Sequence, residues 1–207
     1  IVEAFINSAL LTILSIRVLV VVASMAGFVL QRRTGRSANI INFLVLAGLM
    51  IPPAVVPTIW VLDGIGLFKT ITGMALVEVA IHFPFAAILY KAFMVSIPRE
   101  IDESAFIDGA GGFTLFSRIT FPLLKPVTST IVIVTAVNVY NDFVHPLYFL
   151  PSKPTVQLTL YNFTGMYLSS WNSLFAAAVL ISLPPLILFI FFNRRITEGM
   201  TAGAIKG

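Results

Sequence analysis

The chain alternates between long apolar stretches and short polar segments. Five runs are dominated by aliphatic and aromatic residues, and they cover residues 5–31, 40–61, 71–94, 123–146 and 174–192. A helix needs about 20 apolar residues to cross a bilayer. The pattern therefore predicts an all-α, polytopic membrane helical bundle with five spans, in which residues 1–207 form one transmembrane domain.

Prolines interrupt several of these runs. Pro52, Pro53 and Pro57 lie inside the second run, and Pro184 and Pro185 lie in the middle of the fifth. Proline removes a backbone donor and kinks or breaks a helix. Broken backbone within a membrane is tolerated only where protein or a water-filled cavity surrounds it. We expect a kink or break within the second run.

One long polar segment, residues 96–126, contains seven of the chain's 22 charged residues. Pro98 suits the first position of a helix, and the helix dipole favours the acidic residues that follow it. Gly109 is a natural helix end. After the Gly109–Gly112 corner, Phe113, Phe116 and Ile119 predict a second short amphipathic helix, closed by Pro122. The segment is therefore predicted to be a helix–corner–helix unit outside the bilayer.

Composition and charge fit a membrane protein. The chain is 58% hydrophobic and 11% charged, whereas soluble domains have about 25% charged residues. The absence of cysteine excludes disulfides and thiolate metal sites. The basic residues are dispersed at helix ends, which does not indicate nucleic-acid binding. Ten of them fall on the side of residues 96–126 and two on the other, so the polar segment and the C-terminus are predicted to be cytoplasmic.

Within the polar segment, Glu103-Ser104-Ala105, Gly109, Ile119 and Pro122 form a recognisable pattern. It resembles the EAA loop of binding-protein-dependent ABC transporter permeases, with Ser104 in place of the usual alanine and Phe121 in place of the usual leucine. Flanking motifs along the whole chain, among them Tyr140-Asn141-Asp142-Phe143 and the ending from Gly199 to Gly207, resemble the smaller permease of maltose-type carbohydrate importers.

The resemblance implies a permease subunit of an ATP-driven carbohydrate importer in a bacterial or archaeal inner membrane. Family members have six transmembrane helices, so the first family helix is expected to be missing here. The implied partners are a second, larger permease, a dimer of ATP-binding subunits, an extracytoplasmic sugar-binding protein and membrane lipid. The chain itself is expected to bind no cofactor and to catalyse no reaction, because ATP and Mg²⁺ belong to the partner subunits.

The resemblance also assigns two contact regions for the ATPase. The coupling loop is placed at residues 96–122 and the cytoplasmic tail at residues 197–207. The predicted coupling residues are Glu103, Ser104, Ala105, Asp108, Gly109, Ala110 and Gly111. The predicted tail contacts are Gly199, Met200, Gly203 and Lys206. Chain ends rich in small residues are disordered by default, and the resemblance favours a contact surface instead.

Ionisable residues also lie within or at the ends of the apolar runs, where unpaired charges are costly. Arg17 and Glu78 fall at similar depths, since each residue of a helix adds about 1.5 Å, and an ion pair between them is predicted. A local bond between Glu78 and His82, one turn apart, is an alternative. Tyr140, Asn141 and Asp142 are a candidate substrate path towards a polyol, although solvation at the interface would also explain Asp142.

Other functional classes are less well supported. An ion-gradient-driven secondary transporter would use Glu78, His82 and Asp142 as a proton relay, but it has no need of an EAA-type loop. The glycines from Gly109 to Gly112 lack the lysine of a P-loop. The two histidines lack metal-ligand spacing, so no metal is predicted. The sequence does not identify the sugar.

Overall fold

The computed structural model describes residues 2–162 and 171–201, and all regular structure within these ranges is helical. The elements, in chain order, are α1 (Val2–Arg32), α2 (Arg36–Gly48), α3 (Val55–Gly64), α4 (Ile71–Met94), α5 (Glu100–Ile107), α6 (Gly112–Thr114), a π-helix (Leu115–Thr120), α7 (Phe121–Leu123), α8 (Lys125–Asn141), α9 (Val144–Phe149), α10 (Val156–Asn162) and α11 (Trp171–Thr201). The predicted all-α fold is confirmed.

Among the described residues, α1 and α4 are each long and apolar enough to cross a membrane. The pair formed by residues 112–123 and α8 makes a third candidate span, bent by 74°. Shorter apolar helices occupy Val55–Gly64 and Leu174–Ile187, the second of these within α11. All five predicted apolar runs therefore contain helix, but within the described part of the chain only α1 and α4 are long and apolar enough to cross a membrane as single helices.

The second apolar run is divided into α2 and α3, as the prolines predicted. Residues 49–54 separate the two helices and are all exposed. Pro52 and Pro53 have no backbone N–H to donate, and the residue before each proline is disfavoured in the helical region. Ala54, the N-cap of α3, has extended backbone angles, and α3 begins at Val55.

The chain divides into two compact units, and the first comprises residues 1–17, 53–80 and 133–193. Its core includes Ala4, Tyr140, Val156 and Ile181. Polar groups of α1 fix the segment before α10 in place. The side-chain amide of Asn7 donates to the Pro154 carbonyl at 3.0 Å, and the backbone N–H of Val156 donates to the Ser8 hydroxyl at 3.0 Å. Residues of α1, α8, α10 and α11 thus share one core.

The second unit comprises residues 18–52, 81–132 and 194–207. Its helices approach closely where α1 meets α4 at Gly27, because a Cβ there would lie 2.6 Å from the Cβ of Tyr90. Tyr90 is fully buried, and its hydroxyl donates to Thr128 of α8 at 3.0 Å. Lys91 donates to Asn42 of α2 at 2.7 Å. These contacts join α1, α2, α4 and α8 around one buried tyrosine.

The close approach at Gly27 gives a first testable prediction. Gly27→Ala forces Tyr90 and the α4 backbone away from α1, and overpacking of this kind costs about 1–3 kcal/mol. We expect a lower thermal unfolding midpoint for the detergent-purified protein. Gly64→Ala is the matched control, because a Cβ at Gly64 meets no atom within 4 Å. Equal midpoints for the two variants would contradict the close packing.

Candidate functional site

The polar segment begins with the predicted short acidic helix, which is α5. Glu100, Asp102 and Glu103 lie in its first turn, where the partial positive charge of a helix N-terminus favours carboxylates. The N-cap is Arg99. Pro98 therefore precedes the helix and does not occupy its first position, which corrects the sequence prediction by two residues.

Gly109 ends α5 as the sequence indicates. Its N–H donates to the Phe106 carbonyl at 3.0 Å, and the N–H of Ala110 donates to the Ala105 carbonyl at 2.9 Å. Gly109 has a φ of 82°, a conformation that residues with a Cβ adopt only at a cost. The two bonds and the left-handed glycine form a Schellman motif. The direction in which the chain leaves α5 is therefore fixed by backbone geometry.

After the corner, helical structure runs from Gly112 to Leu123 and includes a π-helix over Leu115–Thr120. Leu115 and Thr120 are its buried residues, and their separation of five matches the wider π-helical turn. The predicted apolar face of Phe113, Phe116 and Ile119 is thus not the fully buried face, and Phe113 is exposed.

The boundary of this second helical piece also differs from the prediction. The break falls at Leu124, two residues beyond Pro122. Pro122 and Pro126 lie on either side of Leu124, and neither has an N–H to donate. The loss of donors on both sides of one residue accounts for the 74° bend there.

A buried ion pair fixes α5 to the end of α1. The Arg32 Nε lies 2.6 Å from the Asp102 carboxylate, and the same guanidinium donates to the other carboxylate oxygen at 3.3 Å and to the Ile97 carbonyl at 3.2 Å. The two side chains are only 12% and 11% exposed. From the sequence, Arg32 was used only as one of the basic residues that predict membrane orientation. Asp102 was used only as one of the acidic residues that favour a helix N-terminus. The pairing carries no local sequence signal.

The opposite face of α5 is exposed. It presents Glu103, Ser104, Asp108 and Gly109, which belong to the predicted coupling residues, and Ala110 and Gly111 follow in the corner. Ala105 was predicted to join this surface but is buried at 5% exposure, so it packs inwards beside Asp102. Phe106 and Ile107 are 55% and 86% exposed. Sequence reasoning missed these two, although large apolar residues at a polar helix tip are a signal for a protein contact.

The predicted substrate-path residues have three different environments. Tyr140 is buried in the core of the first unit, and exposed Asn141 accepts a hydrogen bond from Gln157 at 3.1 Å. Asp142 accepts bonds from the backbone N–H groups of Val144 and His145, at 3.0 and 3.4 Å, and its other oxygen lies 2.7 Å from the His145 ring. Asp142 therefore binds the first two backbone N–H groups of α9, and the substrate path through these three residues stays a prediction.

Arg17 and Glu78 have different environments, and the ion pair between them stays a prediction. Arg17 is exposed, whereas Glu78 is 1% exposed. A ligand atom of Glu78 lies within 4.8 Å of ligand atoms of Asp142 and His145. These three residue types bind divalent cations in other proteins, but here the Asp142 carboxylate already contacts the His145 ring and accepts from the first backbone N–H groups of α9.

The predicted tail contacts lie only partly within the described residues. The backbone of α11 is helical through Thr201, which includes Gly199 and Met200. Gly203 and Lys206 lie outside the described residues.

Comparison of the sequence with known proteins assigns the chain to a family. Residues 19–202 match the model of the binding-protein-dependent transport system inner membrane component. The chain is 32% identical to the melibiose/raffinose/stachyose import permease protein MelC of Bacillus subtilis, over 99% of this chain and 76% of that protein. It is 31% identical to the multiple sugar-binding transport system permease protein MsmG of Streptococcus mutans, over 98% and 76%.

A solved structure has the same fold. The chain superposes with a TM-score of 0.73 on a chain from the crystal structure of a bacterial ABC transporter involved in the import of the acidic polysaccharide alginate. The match covers 95% of this chain and 74% of that chain, at 18% identity.

Proposed function

Because this chain belongs to the family of binding-protein-dependent transport system inner membrane components, we propose that it is a permease subunit of an ATP-driven carbohydrate importer. Its sugar-import relatives support the substrate class, since they cover nearly the whole chain. Melibiose, raffinose, stachyose and arabinooligosaccharides appear in their names. We propose an oligosaccharide as the substrate.

The single observation that carries the coupling role is the construction of α5. One face of this helix is fixed by the buried Arg32–Asp102 pair, and the other exposes acidic and apolar side chains. An element of this kind can bind a partner without changing its own geometry. Movement of an ATPase that binds α5 would pass through Asp102 to α1, and transport would follow as a shift between two conformations of the spans.

Membrane orientation follows from the charge distribution. Of the ten basic residues on the side of the polar segment, the nine that lie within the described residues all belong to the second unit. Basic residues accumulate on the cytoplasmic side of membrane proteins. We propose that α5 and the C-terminus are cytoplasmic, where a pair of ATPase subunits can reach them. A second permease and an extracytoplasmic sugar-binding protein complete the proposed assembly.

Reconstitution tests the proposed function. The full-length chain is co-expressed with the neighbouring permease, ATPase and binding-protein genes, purified as a complex and placed in proteoliposomes. We expect uptake of labelled oligosaccharide that requires ATP and the binding protein. Uptake driven by an ion gradient without ATP would instead support the secondary transporter built on Glu78, His82 and Asp142.

We propose that the cytoplasmic tail, residues 197–207, is a further contact for the ATPase. This proposal rests on the resemblance of the tail to the ending of maltose-type permeases. Deletion of residues 199–207 is expected to lower ATPase stimulation by the sugar-loaded binding protein, because the tail would no longer reach the ATPase interface. The measurement is phosphate release in the reconstituted complex. Unchanged stimulation with unchanged yield of the complex would show that these residues are only a chain end.

A further inference from the structure

An open cavity of about 390 Å³ lies within the second unit, between the end of α1 and the polar segment. Its walls are mainly apolar and include Met25, Phe28, Val29, Phe106, Phe113 and Phe116. The rings of Phe28 and Phe116 lie 5.5 Å apart and join the α1 wall to the π-helix wall. Several wall residues remain exposed, with Met25 at 42%, Val29 at 44% and Phe113 at 74%. The cavity is therefore an apolar recess without a cover from the described chain.

The charged groups of the cavity are Arg32, Arg33 and Asp102. Arg32 and Asp102 neutralise each other through their ion pair. Arg33 is exposed and has no ion pair within the described part of the chain. The cavity therefore combines hydrocarbon walls with one uncompensated positive charge at its edge.

Apolar walls with one positive charge at the edge fit a ligand that has an apolar tail and an anionic headgroup. A sugar would need many hydrogen-bond partners, and the aromatic and aliphatic walls supply few. Basic pockets beside transmembrane helices on the cytoplasmic side bind the headgroups of anionic lipids, and α1 ends here at Arg32, with Arg33 directly after it. The volume lies near the lower limit of ligand sites, roughly 300–1,000 Å³, and so suits part of one acyl chain.

We propose that this cavity binds an anionic phospholipid, with an acyl chain against Phe28, Phe113 and Phe116 and the phosphate at Arg33. The occupant contacts α1, α5 and the π-helix at the same time, because residues of all three line the cavity. It would therefore stabilise the arrangement in which α5 is fixed to α1. Regulation of ATP coupling by membrane lipid follows, and this consequence and the cytoplasmic placement of the cavity rest on the proposed function.

The test measures thermal unfolding of the complete transporter complex and of the isolated full-length chain, both in mild detergent. Dioleoyl-phosphatidylglycerol and dioleoyl-phosphatidylcholine are titrated separately, so only the headgroup charge differs. Glycerol 3-phosphate serves as a headgroup without acyl chains. Arg33→Ala removes the proposed phosphate contact, and Arg36→Ala removes a nearby basic residue that does not line the cavity. Phe113→Ala reduces the apolar wall at a largely exposed position.

We expect half-maximal stabilisation at a concentration of phosphatidylglycerol about fivefold lower than of phosphatidylcholine, the effect of one basic residue near an anionic headgroup. Arg33→Ala should remove this difference and Arg36→Ala should keep it. Phe113→Ala should weaken the effect of both lipids, and glycerol 3-phosphate should not stabilise the protein.

The proposal would be overturned if the two lipids stabilised the protein equally. It would also be overturned if Arg33→Ala and Arg36→Ala reduced the preference for phosphatidylglycerol to the same extent. Stabilisation by glycerol 3-phosphate alone would show a simple anion site. A lipid preference in the isolated chain that disappears in the complex would show that a partner subunit covers the cavity. Each of these results is independent of ATP-driven uptake, which is measured on the same complex in phosphatidylcholine, so failure of the lipid site is distinguishable from failure of the proposed function.

Discussion

Asp102→Ala is expected to reduce sugar uptake at least about tenfold while the transporter still assembles in the membrane. The change leaves the Arg32 guanidinium without its carboxylate in a nearly buried position. Removal of one partner of a buried pair costs on the order of 3 kcal/mol, and about 1.4 kcal/mol already changes an equilibrium tenfold. The docked arrangement of α5 on α1 should therefore become a minor state. Uptake and ATP hydrolysis are measured on the same proteoliposomes.

Glu100→Ala is the matched control for this prediction. Glu100 is also an acidic residue in the first turn of α5, so its loss also weakens the interaction with the helix dipole, but Glu100 is exposed and is not one of the predicted coupling residues. The double variant Arg32→Met, Asp102→Leu should recover part of the uptake, because no buried charge is left unpaired. If Asp102→Ala and Glu100→Ala reduced uptake equally, the ion pair would not be the mechanical link between α5 and α1.

Gly109→Leu is expected to separate ATP hydrolysis from transport, with uptake reduced at least about tenfold. A leucine at φ 82° costs about 1–2 kcal/mol, and its side chain adds bulk beside the exposed tip of α5. No atom of the chain lies within 4 Å of a Cβ at this position, so the folded subunit should still insert. The readout is the ratio of sugar transported to ATP hydrolysed.

Two further variants separate backbone strain from bulk at the corner. Asparagine tolerates the left-handed region, so Gly109→Asn should reduce the ratio less than Gly109→Leu. Gly66 is the matched glycine outside the polar segment, with φ 70° and equally open surroundings, and Gly66→Leu should leave the ratio nearly unchanged. Normal uptake by Gly109→Leu would remove the corner from the coupling mechanism.

The local features of the polar segment could be predicted because their causes are local. The acidic first turn of α5 and the glycine at its end are set by the dipole and by backbone conformation over a few residues. The break between α2 and α3 likewise follows from missing backbone donors at Pro52 and Pro53. Each of these effects depends on residue type and near neighbours alone.

The side-chain pairs between helices could not be predicted, because they depend on the orientation of each helix about its own axis. Arg17 and Glu78 were assigned similar depths from the rise per residue, but depth does not fix the direction of a side chain around the helix. Arg17 is in fact exposed. The partner of Arg32 is 70 residues away in sequence. Nothing near either residue indicates that pairing, and the face of α5 that remains exposed depends on it.

The break in the second apolar run bears on how cells handle the unassembled subunit. Helices α2 and α3 have 13 and 10 residues, which at about 1.5 Å per residue is too short for either to cross about 30 Å of hydrocarbon. The intervening residues 49–54 are exposed, and lipid cannot satisfy their backbone groups. Within a bilayer such backbone is tolerated only against protein or a water-filled cavity, and we propose that an assembly partner covers it. A subunit synthesised in excess of that protein should remain recognisable to membrane proteases, so the abundance of the chain in the cell should follow that of its assembly partner.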